Sequence, residues 1–174
     1  MSDTRDRYGR LTRWLHWGMA LLVIWQFLKL GDRINDGEHW IGQTLVPWHI
    51  SIGVALLVLA LIRVLWAMKQ SPNRPQHTGS TAPLVKGGHF LLYVVMLLVP
   101  ITGALLMVGN GYGLEAFGIQ LVAESEAEIA WMANIGSLHS PIAILFVALV
   151  VGHVCAALYH HFVVRDDTLK RMTS

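Results

Sequence analysis

Charge and cysteine are what this 174-residue chain has little of. Asp, Glu, Lys and Arg make up 14% of it, against about 25% in an average soluble domain, which excludes an ordinary soluble enzyme. Its single cysteine, Cys155, excludes a disulfide framework, a four-cysteine zinc site and the C-x-x-C-H attachment of a c-type haem. The sequence also lacks an internal repeat, a sustained heptad pattern and any low-complexity tract. A net charge of +2 leaves no electrostatic footprint for nucleic acid, and none is expected as a partner. Apolar residues are abundant instead, at 54%, which excludes disorder. So are histidines, of which there are nine. At about 100 to 200 residues per domain, the length allows one domain and no soluble catalytic module beside a membrane one.

A helix crossing about 30 Å of hydrocarbon needs about 20 mostly apolar residues. Four runs qualify: 11–30, 45–68, 88–108 and 136–164, the third with no Asp, Glu, Lys or Arg. The bilayer core gives backbone groups no water to bond, so each run should be helical. The expected fold is an all-α membrane protein, a four-transmembrane-helix bundle forming a single domain over 1–174. The first run follows a charged segment, is too long for a signal-peptide core and has no A-x-A-like site after it, so it reads as a span.

Orientation follows from the cations. Arg5, Arg7, Arg10 and Arg13 precede the first run, Lys69, Arg74 and Lys86 flank the middle loop, and Arg165, Lys170 and Arg171 close the chain. Those ten lie on one side, which the positive-inside rule makes cytoplasmic, together with both termini. Lys29 and Arg33 alone face the other side, with seven acids (Asp32, Asp36, Glu38, Glu115, Glu124, Glu126, Glu128), so the outer face nets −5. Trp14, Trp17, Trp48 and Trp66 lie near span ends, as an aromatic belt would. In the longer outer loop, Ser125 and Glu128 have capping-box spacing, which places the start of the last helix near Glu126. Pro141 is positioned to kink that helix. The middle loop, with Pro72, Pro75 and Pro83, reads as an irregular connector.

Ionisable residues inside spans are costly and default to function. His16 lies near the cytoplasmic end of span one, His49 near the outer end of span two, and His139 near the outer end of span four, with His153 fourteen residues later. Fourteen residues are about 40° short of four full turns and about 21 Å of rise, so His139 and His153 share a face at two depths. His49 matches His139 on the outer side and His16 approaches His153 on the inner side. Facing imidazoles across a bundle can ligate a planar iron porphyrin from both sides and leave no open iron position, which describes electron transfer. A zinc site fits less well, because the residues split into pairs and no acid within the membrane completes a tetrahedron. Taken singly, each histidine could equally serve as a helix-to-helix hydrogen bonder.

Gly18, Gly53, Gly136 and Gly152 lie near these histidines, where small residues would admit a macrocycle, though packing alone also accounts for them. His160, seven residues past His153, is an alternative inner ligand, but it would push that haem about 31 Å from His139, to the bilayer surface. His160 and His161, with His89, are placed to contact a quinone headgroup or a haem propionate. Arg63, fourteen residues past His49 and so about 21 Å deeper, is placed to pair with a propionate or to snorkel to the interface. Lys29 and Arg33 read by default as surface residues, and His39 and His77 as loop residues with no specific role.

Arg7-Tyr8-Gly9, Leu15-His16-Trp17, His49 through Gly53, Ile62-Arg63-Val64-Leu65-Trp66, Gly88-His89, His160-His161-Phe162 and Asp166 through Met172 together resemble the bacterial cytochrome b561 family, small four-helix membrane cytochromes with two b-type haems. The resemblance implies two haem b groups, one on His16 and His153 and one on His49 and His139, in a multi-pass protein of the bacterial inner membrane. One branch of the family passes an electron from superoxide at the outer side to ubiquinone near the inner side. That branch implies that Lys29 and Arg33 attract the anion and that His160 contacts quinone. Other members are quinol-linked carriers whose outer partner is a periplasmic redox protein. The acidic outer face runs against an anionic substrate unless Lys29 and Arg33 form a local positive funnel. A non-haem transporter or metal-binding membrane protein is the remaining reading.

Overall fold

The computed structural model describes residues 2–33, 38–75 and 81–173, and the side chains of residues 32 and 33 lie outside that description. Its elements in order are α1 (Arg10–Phe27), a 3-10 turn (Leu28–Arg33), α2 (Trp40–Thr44), a 3-10 turn (Val46–Trp48), α3 (His49–Gln70), a 3-10 turn (Ser71–Asn73), α4 (Ala82–Gly109), strands β1 (Leu114–Ala116) and β2 (Ile119–Val122), α5 (Ala130–Gly136), α6 (His139–Tyr159), a π-turn (His160–Val164) and α7 (Lys170–Thr173).

Among the described residues, three stretches are long and apolar enough to cross a membrane: Val46–Asn73, Ala82–Gly109 and Ala130–Val164. Only 17, 11 and 6% of their most apolar windows are buried inside the molecule, so most of that hydrocarbon faces outward, where lipid would cover it. α1 is shorter and more polar, with Arg10, Arg13, His16 and Gln26 among its 18 residues. Three of its side chains bond neighbouring segments. Trp66 Nε1 donates to Thr12 Oγ1 at 2.9 Å, Trp25 Nε1 to the Leu45 carbonyl at 3.0 Å and Gln26 Nε2 to the His49 carbonyl at 2.8 Å. Such bonds join helices where no water competes.

α1 packs on α3, α3 on α4, and α4 on α5 and α6. Met19 and Val23 of α1, Ile52, Leu56 and Ala60 of α3, Val95 of α4 and Phe146 of α6 meet in one buried cluster. Between α4 and α5 the backbones approach so closely that a Cβ on Gly136 would fall 2.4 Å from the Leu106 backbone, and one on Gly109 would fall 2.3 Å from the Ala133 amide.

The structure departs from the sequence reading in the outer loop and the last span. The loop adds strand to a chain expected to be all-α: β1 and β2 form an antiparallel hairpin with Leu114 opposite Val122 and Ala116 opposite Ile119. Its two-residue turn has positive φ at both Phe117 (53°) and Gly118 (77°), as the favoured hairpin turn requires. The Ser125–Glu128 capping box does not form. Ser125 accepts from the Ala127 amide at 3.1 Å and its own amide bonds the Gly111 carbonyl, so the helix starts at Ala130. Nor does Pro141 kink a continuous helix. The chain breaks between α5 and α6, at Ser137 and Leu138, and Pro141 falls in the first turn of α6, where helix amides lack partners anyway.

Candidate functional site

The break between α5 and α6 makes His139 the first residue of α6, and His49 is likewise the first residue of α3. Their ring centroids lie 6.0 Å apart with planes at 86°. His139 Nδ1 donates to the Val99 carbonyl of α4 at 2.9 Å, since that oxygen only accepts, and Nε2 is thereby left with its lone pair. α4 makes room for this ring at Gly103, where a Cβ would stand 3.0 Å from His139 Cε1. A backbone carbonyl on Nδ1 is the arrangement that orients a metal-ligating imidazole.

At the other level His16 and His153 lie 6.2 Å apart by ring centroid, with planes at 76°. Arg63 donates to His16 Nδ1 at 2.9 Å and its guanidinium stands 5.7 Å from the Tyr93 ring centroid. Arg74 reaches the same end of the bundle. It bonds the fully buried Asp3 carboxylate at 3.0 Å, and Asp3 also accepts from the Gly9 amide at 2.8 Å and from Thr12 Oγ1 at 2.6 Å. The three donors satisfy this buried carboxylate and tie the N-terminal arm to the segment that follows α3.

Two imidazoles bound through about 2 Å bonds to opposite sides of one metal ion put their ring centroids about 6 Å apart. Both pairs have about that spacing. His139 presents a free Nε2, whereas His16 must give up its Nδ1 bond from Arg63 to bind a metal through Nε2. Along α6, His139 and His153 are separated by about 21 Å of helical rise.

The remaining predicted residues are distributed as follows. His89 is exposed, donates from Nδ1 to the Val85 carbonyl at 2.9 Å, and has its ring 5.6 Å from His153, so it stands beside the inner pair. His160 lies in the π-turn and bonds Asp166 at 2.6 Å, while His161 packs on Phe162 at 4.8 Å. Lys29 is exposed in the 3-10 turn after α1, with Arg33 at the end of that turn and its side chain outside the description. His39 has a structural role that the sequence reading missed. It caps α2, accepting from the Gly42 amide at 3.0 Å and donating to the Gly31 carbonyl at 3.1 Å. His77 lies outside the described residues. Gly136 serves the α4–α5 contact and not a macrocycle, whereas Gly18 and Gly152 face open space beside His16 and His153. Asp3, Arg74, Tyr93, Gly103 and Asp166 were all missed as site residues. Only Asp166 lay in a motif already singled out.

A family model described as prokaryotic cytochrome b561 matches residues 7–174. Cytochrome b561 homolog 2 of Escherichia coli is 33% identical over 176 residues, covering 98% of this chain and 93% of that protein. Cytochrome b562 of Cereibacter sphaeroides is 30% identical, covering 95% of this chain and 94% of its own length. A protein of Yersinia pestis named probable superoxide oxidase CybB is 29% identical, covering 95% of each.

Proposed function

The chain belongs to the prokaryotic cytochrome b561 family, helical membrane proteins that transfer electrons with b-type haem, and from that premise we propose that it is a dihaem cytochrome linking an outer one-electron partner to the ubiquinone pool. His16 and His153 hold the inner haem, and His49 and His139 the outer one. The observation that carries this reading is the near-equal spacing of the two pairs, 6.2 and 6.0 Å. Each haem, when bound, would supply a one-electron couple to the residues that hold it.

The protein's own groups do the rest. The Val99 carbonyl fixes the His139 tautomer, and Arg63 sits where a propionate of the inner haem would find a cation. His89 and the His160–His161 pair line the approach to the inner haem from the cytoplasmic interface. In this reading the whole chain is one domain in the bacterial inner membrane. α1 is its fourth span, and both termini and the cation-bearing middle loop are cytoplasmic.

For the outer substrate, superoxide is the first choice. The relative named probable superoxide oxidase supports it, with Lys29 and Arg33 as the attracting cations. The second choice is a periplasmic redox protein that receives electrons drawn from quinol. It is favoured by the exposed Glu115, Glu124, Glu126 and Glu128, which repel an anion. Stopped-flow mixing decides between them. Superoxide should reduce the haems rapidly and a soluble ubiquinone should reoxidise them. Haems that ignore superoxide but are reduced by ubiquinol would assign the outer side to a protein partner.

A further inference from the structure

The tail Asp166 through Met172 has no role in the function above, yet the chain is bent sharply to deliver its first residue to His160. α6 ends in a π-turn, and Arg165 follows in the left-handed region, φ 59°, which a non-glycine residue adopts only when its surroundings enforce it. The amides of Arg165 and Asp166 both fold back onto the His160 carbonyl. The result is a 2.6 Å bond from His160 Nδ1 to Asp166 Oδ2, while Asp166 Oδ1 accepts from the Thr168 amide at 2.9 Å. Slight burial opposes ionisation of Asp166, but its bonds from Thr168 and His160 outweigh that and hold the carboxyl at about 2. Asp166 is therefore an anion at any working pH. The tail itself is anchored, because Trp17 Nε1 of α1 donates to the Met172 carbonyl at 3.0 Å and the Tyr8 amide to the Arg171 carbonyl at 3.2 Å.

We propose that Asp166 is a positioning residue that holds His160 in the Nδ1-protonated tautomer, so that Nε2 exchanges protons with a quinone oxygen at the cytoplasmic edge of the bilayer. This rests on ubiquinone being the inner partner. A carboxylate only accepts, so Nδ1 carries the proton and Nε2 is the exchanging nitrogen. His160 is seven residues past His153, about 10 Å along the helix and on nearly the same face, so its proton would arrive close to the electron. Reducing one quinone to quinol consumes two electrons and two protons. Electrons come one at a time from the outer donor, and protonated His160 gives up one proton with each, from Nε2 to a quinone oxygen, being recharged from cytoplasmic water between them. The Tyr159 ring lies 6.1 Å from that of His160, His161, Arg165 and Asp167 adjoin the two residues in sequence, and Lys170 is paired with Asp167 at 3.0 Å.

The test is reoxidation of the pre-reduced holoprotein by ubiquinone-1 between pH 5 and 9, in wild type, Asp166→Asn and Asp166→Glu. Wild-type reoxidation should slow as pH rises, because each quinone takes up two protons. Asp166→Asn should be slower than wild type, because the ring is no longer held in one tautomer, and Asp166→Glu should recover part of the rate. Imidazole 15N NMR of His160 should show a single Nδ1–H tautomer in wild type and a mixture in Asp166→Asn. Identical rates, pH profiles and tautomers in wild type and Asp166→Asn would overturn the proposal while leaving quinone as partner. Wild-type haems inert to ubiquinone-1 would overturn both.

Discussion

A missing side chain governs the outer pair. Gly103 lets the His139 ring lie against α4 with Nδ1 on the Val99 carbonyl, and a Cβ there would come within 3.0 Å of Cε1. Gly103→Ala should therefore push the ring by a few tenths of an ångström and shift the midpoint potential of the outer haem. Gly103→Val should lose that haem and keep the inner one. Redox titration of the visible spectrum reads both effects, and a valine variant with two unchanged haems would show that Gly103 does not cradle His139. The histidines themselves were legible in the sequence, because depth and face along a helix follow from residue spacing alone. Gly103 and the Asp3–Arg74 bond were not. Those contacts join positions 36 and 71 residues apart through ordinary residue types, and no local pattern marks them.

Among the elements, the last span carries most of the difference between sequence and structure. Its apolar run reads as one helix, yet α5 and α6 are separate, because α5 is drawn onto α4 through Gly109 and Gly136. A hydropathy window records how apolar a segment is and says nothing about such a contact. The hairpin escaped for a related reason: three- and four-residue strands give too short an alternation, and the turn signal is the single Gly118. α1 reads from its apolar half, and the bonds Thr12 accepts from Trp66 and Trp25 and Gln26 donate toward the start of α3 account for part of its polar remainder. Gly136→Leu would drive a side chain into the Leu106 backbone and should destabilise the fold by about 1 to 3 kcal/mol. It should also displace His139, so thermal denaturation should show a lower midpoint together with loss of the outer haem. A leucine variant as stable as wild type would mean that α4 and α5 are not in backbone contact.

For the molecule as a whole, charge asymmetry, outward-facing hydrocarbon and two histidine pairs describe one device: a narrow bundle that lipid surrounds and that carries charge between its two ends. The class was legible from composition, because few charges and four apolar runs leave little else to build. The direction of flow was not, since hydropathy and charge patterning place spans in a bilayer without identifying what gives or takes the electron. The central claim is that two separate histidine pairs hold two haems, and the haem-to-chain ratio of the purified protein tests it most directly. Wild type should carry about two haems, and His16→Ala and His49→Ala about one each, with different electron paramagnetic resonance signals surviving in the two variants. A wild-type ratio of one or none from haem-replete cells, or loss of the same haem from both variants, would contradict it.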